Sequence, residues 1–125
     1  MFQLLIVMIG GALGAGARHL TGKLMLGWLG PTYPWGTLTV NLVGGFLMGL
    51  LAGGLARLSA PGENWRLFLG VGILGGYTTF SSFSLDVVSL WERGQAMAAF
   101  GYVMISVIGA IAALFVGLMV MRAVA

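Results

Sequence analysis

The sequence predicts an all-α membrane protein of four crossings, the third of them broken. Three observations carry this. Only 7% of the 125 residues are charged, whereas a soluble domain usually carries about 25%. The mean hydropathy is +1.03 and 59% of the residues are hydrophobic. The third apolar run is interrupted by Gly75-Gly76-Tyr77-Thr78-Thr79-Phe80-Ser81-Ser82-Phe83-Ser84.

A helix needs roughly 20 apolar residues to cross a hydrocarbon core of about 30 Å. Four crossings with short loops use up all 125 residues as a single four-helix transmembrane domain, with no room for a soluble catalytic unit. Span 1 is expected over about 2–20. The apolar stretch from Met1 to Ala17 lacks a basic n-region and a clear cleavage site, so it reads as a span and not a signal peptide. Arg18 and His19 mark its far end, and the loop Thr21 to Trp35 carries Lys23, Gly30, Pro31 and Pro34, residues suited to turns. Span 2 is expected over about 36–56, closed by Arg57. A loop with Ser59, Pro61, Gly62 and Glu63 leads to span 3 over about 66–91, which contains Asp86. Glu92-Arg93-Gly94 turns the chain into span 4, about 95–121, ended by Arg122. Trp35, Trp65 and Trp91 fall at span ends, where aromatic belts form.

Lys and Arg normally accumulate on the cytoplasmic side and set orientation. Here one side would hold Arg57, Arg66 and Arg122, and the other Arg18, Lys23 and Arg93. The tie leaves no preferred orientation. It predicts insertion both ways and pairing of opposite copies as an antiparallel, dual-topology homodimer. The same six basic residues form no patch, which argues against nucleic-acid binding. With no cysteine, thiol chemistry and Cys-based metal sites are excluded. One His and three acids assemble no nucleophile, base and acid set, so an enzyme is not expected.

The chain has 22 glycines, and many recur at four-residue spacing within the spans: Gly10 and Gly14; Gly45, Gly49 and Gly53; Gly72 and Gly76; Gly109 and Gly117, with Ala113 between them. Small residues at i, i+4 let backbones approach closely in lipid. They imply a compact bundle or an oligomer.

The polar stretch in span 3 carries the functional signal. Gly weakens a helix interior, and Ser and Thr favour caps. A break at membrane depth is tolerated only where it is buried in protein or lines a watered cavity. Freed carbonyls then suit a cation, and a half-helix N-terminus suits an anion. Phe80 and Phe83 lie three apart on one helix face, and aromatic ring edges carry partial positive charge. Two such edges are able to receive a small anion without trapping it. The plainer reading of the pair is core packing. Ser81 and Ser84 share another face, and Ser82 lies one turn from Asp86. Asn41 is costly in lipid, and such residues are functional candidates or interhelical hydrogen-bond donors. Tyr102 and Ser106 are four apart on span 4. Arg18 either snorkels to the surface or draws anions inward. Asp86 caps a helix, pairs with Arg18 or another basic residue, or sits at the water interface.

At these residues the chain resembles the CrcB/Fluc family of fluoride channels along essentially its whole length. The matching pieces are Gly10-Gly11-Ala12-Leu13-Gly14-Ala15 with Arg18, Gly36-Thr37-Leu38 with Asn41, and the Gly75 to Ser84 motif. The resemblance implies a passive, fluoride-selective channel in the bacterial inner membrane that lowers cytoplasmic fluoride. It implies an antiparallel homodimer with two pores. The family's pore phenylalanines map onto Phe80 and Phe83, and its pore asparagine onto Asn41. Its structural sodium, held at the dimer centre by main-chain carbonyls, maps onto Gly75 and Thr78. Its span 4 polar track maps onto Tyr102 and Ser106, with Ala110 where a hydroxyl often follows. Asp86 stands where Glu is frequent. Stripping water from fluoride demands close donors, which here are Asn41, the hydroxyls of Thr79, Ser81 and Ser82, and the ring edges, with Arg18 at the entrance. The binding must still permit escape. The rivals are a small dual-topology multidrug exporter, which needs an acid in span 1 where this chain has none, and a non-transporting packing subunit.

Overall fold

The computed structural model describes residues 1–56 and 62–124. Arg57, Ser59 and Pro61 lie outside the described residues, and so does the Arg57 share of the charge balance. Helix α1 spans Phe2–Leu29 and α2 spans Trp35–Leu55. The third crossing starts with an α-turn at Glu63–Trp65. It continues as a π-helical stretch at Arg66–Leu74 and a last α-turn at Gly75–Tyr77; these three pieces (63–77) are called α3. Helix α4 spans Ser81–Glu92 and α5 spans Ala96–Ala123. The described residues contain no strand, and four helical stretches are long and apolar enough to cross a membrane: Phe2–Leu29, Trp35–Leu55, Glu63–Glu92 and Ala96–Ala123.

Helix α1 corrects the expected end of span 1. It passes Leu20 and runs on to Leu29, so only residues 30–34 link it to α2. Thr21 to Leu29 carry Lys23, Leu24, Met25 and Leu26, all but Thr21, Gly22 and Gly27 being adequate helix formers. At 28 residues α1 is about 42 Å long, more than a hydrocarbon core requires. It stops at Gly30, whose φ of 83° is accessible to glycine at little cost. Pro34 then opens α2, where a missing N–H costs nothing.

The helices pair through their small residues. Gly10 and Gly14 of α1 lie against α3: a Cβ built on Gly72 would sit 3.1 Å from the Gly10 Cα, and one on Gly14 would meet the Ile73 carbonyl and lie 2.8 Å from the Tyr77 nitrogen. Gly49 of α2 and Gly117 of α5 likewise sit on each other's backbones, against the Leu114 and Phe46 carbonyls. Two helix pairs result, α1 with α3 and α2 with α5. A smaller buried cluster of Leu38, Phe83, Leu90, Ala99 and Tyr102 joins α4 to them.

Candidate functional site

Helical backbone ends at Tyr77 and resumes at Ser81, with Thr78 extended at φ −82°, ψ 159°. In a continuous α-helix the Thr79 amide would bond the Gly75 carbonyl and the Ser82 amide the Thr78 carbonyl. Both amides are redirected. Thr79 N–H donates to Asn41 Oδ1 at 2.9 Å, and Ser82 N–H donates to Thr79 Oγ1 at 3.0 Å. The Gly75 and Thr78 oxygens are thereby released from the helical ladder. The carbonyls on either side are engaged: Arg18 Nε donates to Gly76 O at 3.1 Å and Asn41 Nδ2 to Thr79 O at 3.0 Å. The Thr78 hydroxyl and amide both turn back to Leu74 O, at 2.9 and 3.0 Å.

Asn41 therefore acts as a surrogate peptide for Thr79, donating to its carbonyl and accepting from its amide. Such pairing removes the cost of leaving main-chain groups unsatisfied in a low-dielectric interior. A carboxamide has two N–H groups. Among the described residues the second has no acceptor.

Beside the break lies a groove of about 420 Å³ between α2, the break and α5. Asn41, Thr78, Thr79, Phe80, Phe83 and Ser106 line one part of it, and Gly44, Gly45, Met48, Val107, Ala110, Ile111 and Leu114 the rest. Phe80 and Phe83 face each other at 5.7 Å between ring centroids, tilted by 44°. Their surroundings differ: Phe80 is 78% exposed and Phe83 8%. Ser106 is 5% exposed, and its Oγ has no hydrogen-bond partner. Ser106 belongs to the groove's lining, and its Oγ is covered by protein without a partner. The groove is otherwise apolar, and Ala110 contributes a methyl to its wall.

Not every candidate reaches the groove. Tyr102 stands behind it, fully buried, with its ring 5.2 Å from Phe83 and edge-on to Tyr33 at 5.6 Å. Its hydroxyl donates to Asp86 Oδ2 at 3.0 Å. Asp86 accepts from a phenol, a partner outside the roles expected for it. Arg18 is not among the residues lining the groove; its half-buried side chain is tied through Nε to Gly76 O, from the α1 side of the break. Ser81 and Ser82 lie at the start of α4, where Ser81 Oγ is 3.4 Å from Thr79 Oγ1. Gly75 is exposed at the end of α3. No cluster of three or more His, Cys, Asp or Glu able to hold a metal occurs among the described residues, so any cation held at the break would rely on carbonyl oxygens.

The model of the family described as "CrcB-like protein, Camphor Resistance (CrcB)" matches residues 5–118. The chain belongs to the CrcB family. Among its CrcB relatives, the protein of Mesorhizobium japonicum named Fluoride-specific ion channel FluC is 57% identical over 122 residues, 98% of each chain. The proteins of that name from Sphingopyxis alaskensis and from Chelativorans sp. are 56% and 54% identical, covering 98% and 99% of this chain and 97% and 99% of their own.

Two residues of the site escaped the sequence reading. Thr21 Oγ1 shares a hydrogen bond of 3.0 Å with the Tyr77 hydroxyl, which ties the last turn of α3 to α1. The signal was the spacing: Thr21 lies three residues after Arg18, on the same helix face. Gly44 was not singled out either, yet the Thr78 methyl lies where its Cβ would be.

Proposed function

We propose that this CrcB protein is a fluoride-selective passive channel of the bacterial inner membrane that lets fluoride leave the cytoplasm. The observation that carries the reading is the groove, in which the Phe80 and Phe83 rings, a spare Asn41 N–H and the unpartnered Ser106 hydroxyl converge. A small anion there would meet hydrogen-bond donors and ring edges without a formal positive charge. That gives binding strong enough for entry and weak enough for exit. The name of the relatives agrees with the anion. The CrcB relatives are named as ion channels and not as enzymes, and this chain is read in the same way.

The functional unit in this reading is an antiparallel homodimer with two pores. The charge tie supports insertion in both orientations. Phe80 leaves most of its ring uncovered along a groove half walled by apolar side chains, and a second copy would cover such a surface. The break in the third crossing is then buried in protein, as membrane depth requires. A sodium ion between the two copies fits the donor set. Gly75 and Thr78 each offer a released main-chain oxygen, and hard cations take oxygen ligands. Two copies would supply four. That ion would supply positive charge to balance carbonyl dipoles and hold the two breaks together. Asn41 holds Thr79 while offering its spare N–H to the groove, and the remaining polar contacts are structural: Thr79 caps α4, and Tyr102 holds Asp86.

The exporter reading needs a free membrane carboxylate for proton coupling. The one acid well inside a helix of the crossings, Asp86, accepts from Tyr102 and lies beside the loop residues Pro31, Tyr33 and Pro34. Fluoride efflux from proteoliposomes carrying the purified protein decides between the two, with chloride as control. Passive fluoride efflux without chloride efflux is expected. Equal passage of both ions, or none, would sink the channel.

A further inference from the structure

We propose that Thr21 and Tyr77, together with Arg18, form a latch from α1 that positions the break for its central cation. This rests on the sodium reading of the Gly75 and Thr78 oxygens. Four consecutive residues, Gly75 to Thr78, carry the turn. The outer two have released carbonyls. The inner two are the ones α1 holds: Gly76 through Arg18 Nε at 3.1 Å, and Tyr77 through its hydroxyl on Thr21 Oγ1 at 3.0 Å. Arg18 and Thr21 are one turn apart, so a single rigid helix face makes both bonds. Thr21 Oγ1 also lies 3.0 Å from the Ala17 carbonyl, to which it can donate, so it accepts from Tyr77.

Close packing makes the latch stiff. Gly76 lies against α1 with no room for a side chain, since a Cβ there would sit 3.0 Å from the Gly11 Cα. The peptide planes flanking Gly76 and Tyr77 therefore cannot rotate while both bonds persist. The plane before Gly76 carries the Gly75 oxygen, and the Thr78 oxygen lies in the plane between Thr78 and Thr79, whose N–H is held by Asn41. Asn41 anchors the other end, at Thr79. A cation site made of carbonyls alone depends on their direction, because no charged ligand compensates for a misplaced oxygen. Thr21 and Tyr77 touch neither the groove nor the proposed ion, so they are positioning residues.

The test compares wild type, Thr21→Val, Tyr77→Phe, the double variant and Thr21→Ser, each as purified protein in detergent. The thermal midpoint is followed against NaCl concentration at constant ionic strength, with N-methylglucamine chloride as the replacement salt. Wild type should be stabilised by sodium. One neutral hydrogen bond is worth about 0.5–1.5 kcal/mol net, so each single variant should need about three- to tenfold more sodium for the same shift. Thr21→Ser keeps the hydroxyl and should restore the wild-type response. The double variant should be no worse than either single, because both remove one shared bond. A variant that fails to fold is replaced in the comparison by Thr21→Ser against Thr21→Ala. Sodium responses equal to wild type, or losses that add in the double variant, would overturn the latch. A wild type indifferent to sodium would overturn the cation reading and the latch with it.

Discussion

The seam between α1 and α3 and the break that follows it are built from the same small-residue sequence and solve opposite problems. Along the seam, from Gly10 and Gly14 to Gly72, the helices run on without a break, and what matters is the absence of side chains. At the break the helix ladder is lost, and what matters is the side chains that replace it. Arg18, Asn41 and Thr79 supply hydrogen bonds that the backbone gave up, at 3.1, 3.0 and 3.0 Å. The seam is therefore sensitive to volume above all. The break is sensitive to polarity as well, since Gly44 and Gly76 leave it no spare room either.

Adding volume to the seam should give the largest effect. At Gly14 a side chain would press on the Ile73 carbonyl and the Tyr77 nitrogen, which are backbone and cannot swing aside. Gly14→Leu should cost about 3 kcal/mol or more, enough to remove the folded protein from a size-exclusion profile. Gly11 is the control, because a Cβ there meets nothing within 4 Å. Gly11→Ala should elute as wild type does. Equal damage from both would mean that the seam is not set by close approach.

Changing polarity at the break comes second. Asn41→Asp keeps the shape but puts a carboxylate oxygen against the Thr79 carbonyl in place of a donor. Leaving that pair mismatched should cost about 1–3 kcal/mol, read as a lower thermal midpoint, and fluoride efflux should fall to background. Asn41→Leu, nearly isosteric and apolar, should lose as much. If either variant kept wild-type efflux, Asn41 would be neither the clamp nor part of the pore.

The seam was legible in the sequence because glycine spacing is local: Gly10 and Gly14 announce a face whatever it meets. The break was legible for the same reason, from Gly75-Gly76 and the hydroxyl run. What the break bonds to was not. Arg18 lies 58 positions from Gly76 and Asn41 38 from Thr79, and nothing local distinguishes a buried Arg that binds a carbonyl from one that snorkels. Asp86 was ambiguous likewise, since its partner Tyr102 sits across a turn on another helix. The end of α1 was misjudged because Arg18 and His19 look like an interface. In the fold Arg18 turns inward and the helix carries on to Leu29.

The two phenylalanines sharpen the comparison further, because one face of the break holds both. Phe83→Ile removes a ring packed on Tyr102 and should lower stability by about 1 kcal/mol. Phe80→Ile removes a ring that is 78% exposed in the single chain and should change the stability of that chain by less than about 0.5 kcal/mol. Both should slow fluoride efflux by about tenfold or more, equivalent to ~1.4 kcal/mol of barrier. Efflux loss confined to Phe83→Ile would mean that packing, not ring edges at the groove, governs passage.

Ser106 gives the smallest effect on stability and the cleanest separation of structure from passage. Its Oγ is buried without a partner, so the folded chain gains nothing from it and bears the cost of its desolvation. Ser106→Ala should leave the thermal midpoint unchanged or slightly raised. The groove, however, loses a hydroxyl beside Phe83 and Asn41, where Ala110 one turn further on cannot replace it. Efflux should fall by a few fold, about the worth of one hydrogen bond to a charged ligand. Serine at this position is then explained by the passing ion alone. A variant that lost stability and kept full efflux would instead make Ser106 a packing residue and leave the groove one donor poorer than proposed.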